Sequence, residues 1–554
     1  MKKIGVAIIC LAILAACVPA TEQPAGIPEP APSLLPGATV TPMPEALWIN
    51  PAVPSEMIEF TKSWNIPHND NPALATNKLD VSTTSQGSRW IYALVAPFPT
   101  VTDNVDSQAL VSAWKGAPTP PITGHAILLA ESTLRAFTVL WGEPASGAVR
   151  VAPSDKLLDT AWSESAWAII PFEEIQPKWK VLSVDGQSPI HKSFNADAYP
   201  LKIYFSMSSN AFTLPETNRD PSKLATVILT GVTGLVRATA ETMEMRGITY
   251  PGSLIRDTLR EADVTHISNE IAFDKTCPYP SSGYRSFILC SDPKYINLLL
   301  DIGIDIVDLA GDHLRDRGET ALLNTLAIYK ANHLPYYGGG ANAEEARQPL
   351  LMTVNGNKLA FMGCNAKRIL KYPKATATSP GPALCDYVYF EQKISELKAQ
   401  GYMVIFTFQH EECYSPSPCF TQENAFHKVA DEGATIVSGS QAHFPQYMEF
   451  RGGTFIHYGL GNLFFDQMSY ILPNGEVTDG TRREFMDRHV FYNGRYLGVE
   501  LLTSMLEDYS RPRPMTESER ANFLSDYFYY SGWIPLSPTP IPVPTVTLTP
   551  IVLP

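Results

Sequence analysis

DIGIDIVDLAGDHLRDRG, residues 301–318, begins as an apolar run and ends in a cluster of polar side chains. Ile302, Ile304, Ile306 and Val307 read as a buried strand, with Gly311, Asp312 and His313 at its C-terminal end. An acid beside an imidazole adds little to packing there, whereas the carboxyl ends of strands are where α/β sheets assemble their sites. The pattern recurs in SKLATVILTGVTGLV (222–236), DVTHISNEIAF (263–273), KLAFMGCN (358–365), YMVIFTFQHEE (402–412), ATIVSGSQAHF (434–444) and GTFIHYGLGNLFF (453–465). Helical segments, GETALLNTLAIYKAN (318–332) and FEQKISELKAQG (390–401), alternate with these runs. The alternation predicts an α/β domain over 222–534.

At 554 residues the chain is too long for one ordinary core. Its formal charge is −14, and it has no basic run beyond Lys2 and Lys3. Nucleic acid is therefore not an expected partner, and an anionic polymer would need a local basic patch. MKKIGVAIICLAILAAC (1–17) reads as a signal peptide over 1–16, followed directly by Cys17. This resembles the bacterial lipoprotein signal and implies lipidation of Cys17 and an envelope location, anchored to a membrane. The next apolar stretches are too short to span a bilayer. Residues 17–46 are rich in Pro, Ala and Thr and are expected to be an extended linker, and 535–554 a disordered Pro/Thr-rich tail.

Export changes how the eight cysteines read. Cys10 leaves with the signal and Cys17 takes lipid, so six remain, with about fifteen possible pairings. The expected set is sequence-local: Cys277 with Cys290, Cys364 with Cys385, and Cys413 with Cys419, each closing a short loop rich in Pro, Ser or Gly.

Residues 47–217 carry the runs RWIYALVAPFP, HAILLAES, RAFTVLWG and SAWAIIPFEEIQPKWKVLSVDG, which suggest a smaller α/β domain. IYALVAPFPTV, the 167–186 run and YPLKIYF weakly resemble periplasmic solute-binding proteins. That resemblance implies a cleft for a small anionic ligand, against the alternative of a support domain that binds nothing.

In the larger domain, GVTGLVR (231–237), SNEIAF (268–273), LAGDHLRDRG (309–318), YYGGGANAEEARQPLL (336–351) with LAFMGCN (359–365), QHEECY (409–414), DEGATIVSGSQAHFPQ (431–446) and IHYGLGNLFFD (456–466) resemble the successive motifs of the CapA family. Members are associated with synthesis of bacterial capsule polymer and poly-γ-glutamate. The resemblance implies a calcineurin-like metallophosphatase fold, an α/β/β/α sandwich, and partners among other polymer-synthesis proteins. The chain departs from the family pattern at three places. Val232 follows Gly231 where the family has Asp; Gly311-Asp312-His313 replaces Asn-Asn-His; and Gly439-Ser440-Gln441-Ala442-His443 keeps the second of two histidines. These departures point away from a dinuclear centre and toward a single-metal site or a metal-free polar cleft.

Oxygen and imidazole donors at successive strand ends suit one divalent metal or a hydrolytic acid/base pair. Glu270, Asp312, His313 and His443 are the expected metal ligands. Asp312, His313, His410 and Glu412 are the expected catalytic groups, with Glu411 and Glu412 not separable by register. Arg237, Asn269 and Asn462 are expected to bind substrate, although Arg237 also reads as half of a structural ion pair. His457 reads as core. Arg315 and Asp316 read as helix-start residues, and the Gly338–Ala346 turn as structural. Two functions follow: an enzyme or enzyme subunit acting on an amide or ester bond of a surface polymer, or a non-catalytic module that holds the polymer or a solute.

Overall fold

Leu224–Leu229 shows how the larger part is layered. Side chains on a strand alternate between faces. Val227 and Leu229 point into a core shared with Leu359, Phe361, Ile405, Ile436 and Phe455 of a second sheet. Ile228, between them, points outward into a core with Met243, Leu259, Leu298, Leu322 and Leu326. On the second sheet the same alternation sends Ala360, Met362, Val404, Phe406 and Val437 outward, onto Phe390, Ile394, Phe426 and Val429 of two helices. The result is four layers, helix–sheet–sheet–helix.

The computed structural model describes residues 45–122, 124–284, 286–368, 373–472 and 474–536. Cys17, the signal segment and nearly all of the linker and the tail lie outside them. In the first sheet Tyr336–Tyr337, Ile306–Asp308, Val264–Asn269 and Leu224–Leu229 run parallel. The sheet continues antiparallel through Arg483–Tyr492, Arg495–Glu507 and Arg511–Pro514. In the second sheet Asn357–Asn365, Met403–Gln409, Ile436–Gly439 and Thr454–His457 are parallel, flanked by antiparallel Leu350–Val354 and Met448–Arg451. Arg237–Arg246, Arg256–Glu261, Ile296–Asp301 and Gly318–Ala331 cover the first sheet, and Tyr387–Ala399 and Gln422–Asp431 the second. Among the described residues, no helix is long and apolar enough to cross a membrane.

The N-terminal part has its own mixed sheet, in the order Leu47–Ile49, Asn77–Val81, Lys202–Met207, Ser88–Pro97, Ala168–Pro171, Ile127–Leu129, Val149–Val151. RAFTVLWG is not a strand: it lies in the helix Glu131–Trp141, which buries Thr133, Ala136 and Phe137, a helical rather than an alternating spacing. This part does not stand apart. Phe98 leaves its strand to pack edge-on against Phe450, Phe455 and Trp533 of the sandwich, and Lys180, Asp103 and Arg520 form an ion-pair chain across the junction. The described residues form one compact unit. All three expected disulfides are present, Cys277–Cys290, Cys364–Cys385 and Cys413–Cys419.

Candidate functional site: a lysine-centred carboxylate cleft

The parallel strands of both sheets end on one side of the sandwich, and the loops leaving them meet there. Glu270 directly follows Val264–Asn269, Asp312 follows Ile306–Asp308, Lys367 follows Asn357–Asn365, Glu412 follows Met403–Gln409 and His443 follows Ile436–Gly439. Lys367 is the centre. Its Nζ donates to Asp312 Oδ2 at 2.6 Å and to Glu412 Oε1 at 2.7 Å, so one ammonium joins a loop of the first sheet to a loop of the second. The Lys367 backbone N–H donates to Asn365 Oδ1 at 3.0 Å, which fixes the loop that presents it.

Glu270 and Gly311 pack so closely that a Cβ on Gly311 would lie 2.3 Å from Glu270 Cα; only glycine fits there. His443 has a left-handed backbone, φ 53°, uncommon for a non-glycine residue, and turns its imidazole into the cleft. Its Nδ1 is 2.8 Å from Asn462 Oδ1. An amide oxygen can only accept, so Nδ1 carries the proton and Nε2 is left facing Glu270 Oε1 at 4.0 Å. His313 Nδ1 likewise donates to Asp316 Oδ2 at 2.7 Å, and its Nε2 is 3.9 Å from Asp312 Oδ2.

Burial and these charges set the protonation states. Burial, reinforced by the Asp312 charge, pushes Glu270 up to about 8, so it keeps its proton at neutral pH. Burial also acts to raise Asp312, but His313 and Lys367 outweigh it and hold the carboxyl low. For His313, burial is overcome by the Asp316 hydrogen bond and by Asp312 and Glu270, which hold the imidazole at about 9. His443 is lowered by burial and stays neutral. Among the described residues, neither oxygen of Glu270 nor Asp312 Oδ1 has a hydrogen-bond partner, so buried acceptors are left facing the cleft.

The expected ligands Glu270, Asp312, His313 and His443 are thus brought together, but around an ammonium. A metal does not fit this arrangement: Lys367 already supplies the positive charge between Asp312 and Glu412, and among the described residues no three His, Cys, Asp or Glu side chains are arranged to hold an ion. The other predicted residues divide. Asn462 orients His443. Asn269 is buried, donating to Ile271 O and Tyr329 Oη, and so holds structure rather than facing the cleft. Arg237 is the ion-pair alternative: its guanidinium grips Asp466 and lies over Phe465. His457 donates to Asp487 in the core, both fully buried. Asp316, read as a helix-start residue, instead binds His313.

His410 sits apart from the lysine cluster, on the wall of an adjoining groove of about 920 Å³. It is 5% exposed, its Nδ1 has no partner among the described residues, and burial lowers its imidazole to about 4. The groove reaches from Lys367 past Arg368, Lys374, His427 and Lys428 to Arg451, with Asp431 the sole acid on its lining among the described residues. Lys374 Nζ hydrogen-bonds Asn365 Oδ1 and Lys367 O, and burial lowers it to about 8, leaving it mostly charged at neutral pH. This is the local basic patch that the chain's composition lacks. Sequence reasoning missed both it and Lys367: the basic residues of NAKRILKYPK (365–374) were a local signal for part of the patch, but Lys428 and Arg451 join Lys367, Arg368 and Lys374 only in the fold.

Residues 226–467 match the family model described as "Bacterial capsule synthesis protein PGA_cap". The chain is 23% identical over 247 residues to the capsule biosynthesis protein CapA of Bacillus anthracis, covering 41% of this chain and 60% of that protein. It is 27% identical over 180 residues to the PGA biosynthesis protein CapA of Bacillus subtilis strain 168, covering 32% and 47%. The matched part is therefore less than two thirds of either relative. Among solved structures, the Thermus thermophilus sulfate thiohydrolase SoxB aligns at 12% identity over 53% of this chain and 49% of that one, TM-score 0.31. An ABC-type phosphate transport receptor from Vibrio cholerae aligns at 13% identity over 30% and 88%, TM-score 0.25. The matched span holds every loop of the cleft, and over that span this chain is similar to bacterial capsule synthesis proteins of the PGA_cap type.

Proposed function

We propose that this chain is an envelope lipoprotein that holds a carboxylate-rich surface polymer, of the poly-γ-glutamate type, during its synthesis, processing or anchoring. The observation that carries this reading is the cationic groove that runs into the lysine-centred cleft on a chain of net charge −14. A concave surface of one sign focuses its field and raises the local concentration of a polyanion that the rest of the surface repels. Lys367 already binds two carboxylates, so the groove's chemistry suits a chain of them.

Binding of poly-γ-glutamate to the purified protein, measured by titration calorimetry, tests this. Affinity is expected to fall as salt is raised, because the contacts are charged and partly exposed. The double variant Lys374→Ala/Lys428→Ala is expected to weaken it about tenfold, some 1.4 kcal/mol. Binding that ignores both salt and the double substitution contradicts the reading.

A catalytic reading draws on Glu270: a buried carboxyl that keeps its proton, 4.0 Å from a neutral His443 Nε2, is suited to give a proton to a leaving group of an amide or ester. Chain-length analysis of polymer incubated with wild-type and Glu270→Gln protein separates cleavage from holding; unchanged polymer with both leaves the holding role alone. The lipid anchor belongs to the same proposal. Cys17→Ser should release the protein from membranes, and continued tight membrane association would contradict it.

A further inference from the structure

We propose that Lys367 is a tethered cation occupying the seat at which this cleft would otherwise take a divalent metal, so that the cleft works on a protein-borne charge. Two carboxylates from different sheets converge on its Nζ, Asp312 Oδ2 at 2.6 Å and Glu412 Oε1 at 2.7 Å. The side chains of Lys367 and Asp312 are 3% and 0% exposed, so solvent does little to screen the pair. Beside them lie further donor atoms without hydrogen-bond partners among the described residues: both oxygens of Glu270 and Asp312 Oδ1. His443 Nε2, 4.0 Å from Glu270, faces the same place. Carboxylate oxygens and an imidazole nitrogen converging on one point form a donor set that a divalent ion takes when nothing else fills the space. Here an ammonium fills it.

The lysine is also held in place. Asn365 accepts the Lys367 backbone N–H, and Lys374 binds both Asn365 Oδ1 and the Lys367 carbonyl oxygen. A side chain held in this way against the buried Asp312 carboxylate stays there, and a second cation entering beside it meets repulsion in a low dielectric. Removing the ammonium leaves the fully buried Asp312 carboxylate beside the half-exposed Glu412 without a counter-charge, which is costly unless a cation replaces it.

The test reads metal rather than polymer, so its outcome is separate from that of the proposed function. Wild-type protein, dialysed without chelator, is subjected to elemental analysis and titrated with Mn²⁺, with the bound ion followed by electron paramagnetic resonance. Lys367→Ala is treated in the same way. The wild type is expected to carry far less than one equivalent of any divalent metal and to bind Mn²⁺ weakly. The variant is expected to bind one Mn²⁺ at least about tenfold more tightly and to gain thermal stability when the ion is added. The proposal is overturned if the wild type retains one equivalent or binds Mn²⁺ as well as Lys367→Ala, or if folded Lys367→Ala gains no site. Should Lys367→Ala not fold, the wild-type metal content and Mn²⁺ affinity decide alone, and Lys367→Met, which fills the space without charge, is expected to gain no site.

Discussion

At the scale of single residues, the site is a contest between burial and charge, and His313 shows which wins. Burial alone would lower an imidazole, yet the Asp316 hydrogen bond and the neighbouring carboxylates hold His313 at about 9. A raised histidine contributes stability that is fully present below its unfolded value near 6.5 and is lost as pH rises through about 9. Asp316→Asn is therefore expected to destabilise the protein at pH 7, by about 1–3 kcal/mol for a hydrogen bond to a charged group, with the difference from wild type shrinking by pH 10. Denaturant unfolding at the two pH values measures it, and an equal deficit at both would show that the charge on His313 plays no part. The sequence revealed Asp312, His313 and Glu270 because each sits where a strand pattern stops. It did not reveal Lys367, because a lysine after a strand is usually a solvated surface residue and only the folded chain shows two carboxylates closing on it.

Among the elements, the strands that build the cleft were readable because their faces are so regular. Asn357–Asn365, Met403–Gln409 and Ile436–Gly439 are buried on both sides, and continuous apolar runs of strand length bounded by glycine and polar residues have few other readings. The antiparallel pair Arg483–Tyr492 and Arg495–Glu507 escaped notice although its turn, Asn493-Gly494, has both residues at positive φ and is a strong hairpin signal. RAFTVLWG, a helix in the structure, shows that a short apolar run does not by itself separate strand from buried helix. How tightly elements approach is equally unreadable from pattern, and Gly311 is the clearest instance. Its backbone passes against Glu270, where an added Cβ would lie 2.3 Å from one backbone atom and 2.6 Å from Glu270 Cβ. Gly311→Ala is expected to cost about 1–3 kcal/mol of stability, since neither backbone can yield freely, and to shift Glu270 in the cleft. A melting temperature equal to wild type would mean that the approach is looser than it stands here.

Across the whole molecule, a chain of net charge −14 gathers its cations where the two sheets end. Composition showed that a polyanion needs such a patch but could not place it, since Arg368 and Lys374, Lys428, and Arg451 come from three separate segments. The N-terminal part, anchored by Phe98 in the aromatic cluster of the sandwich, is built into the same body rather than hung on a linker. The most direct measurement of the polymer-holding account is zero-length carbodiimide coupling of poly-γ-glutamate to the folded protein, followed by peptide mapping of the modified lysines. Coupling concentrated at Lys374 and Lys428 and suppressed by high salt is the predicted result; coupling spread over lysines outside the groove, with neither of these two modified, would contradict it.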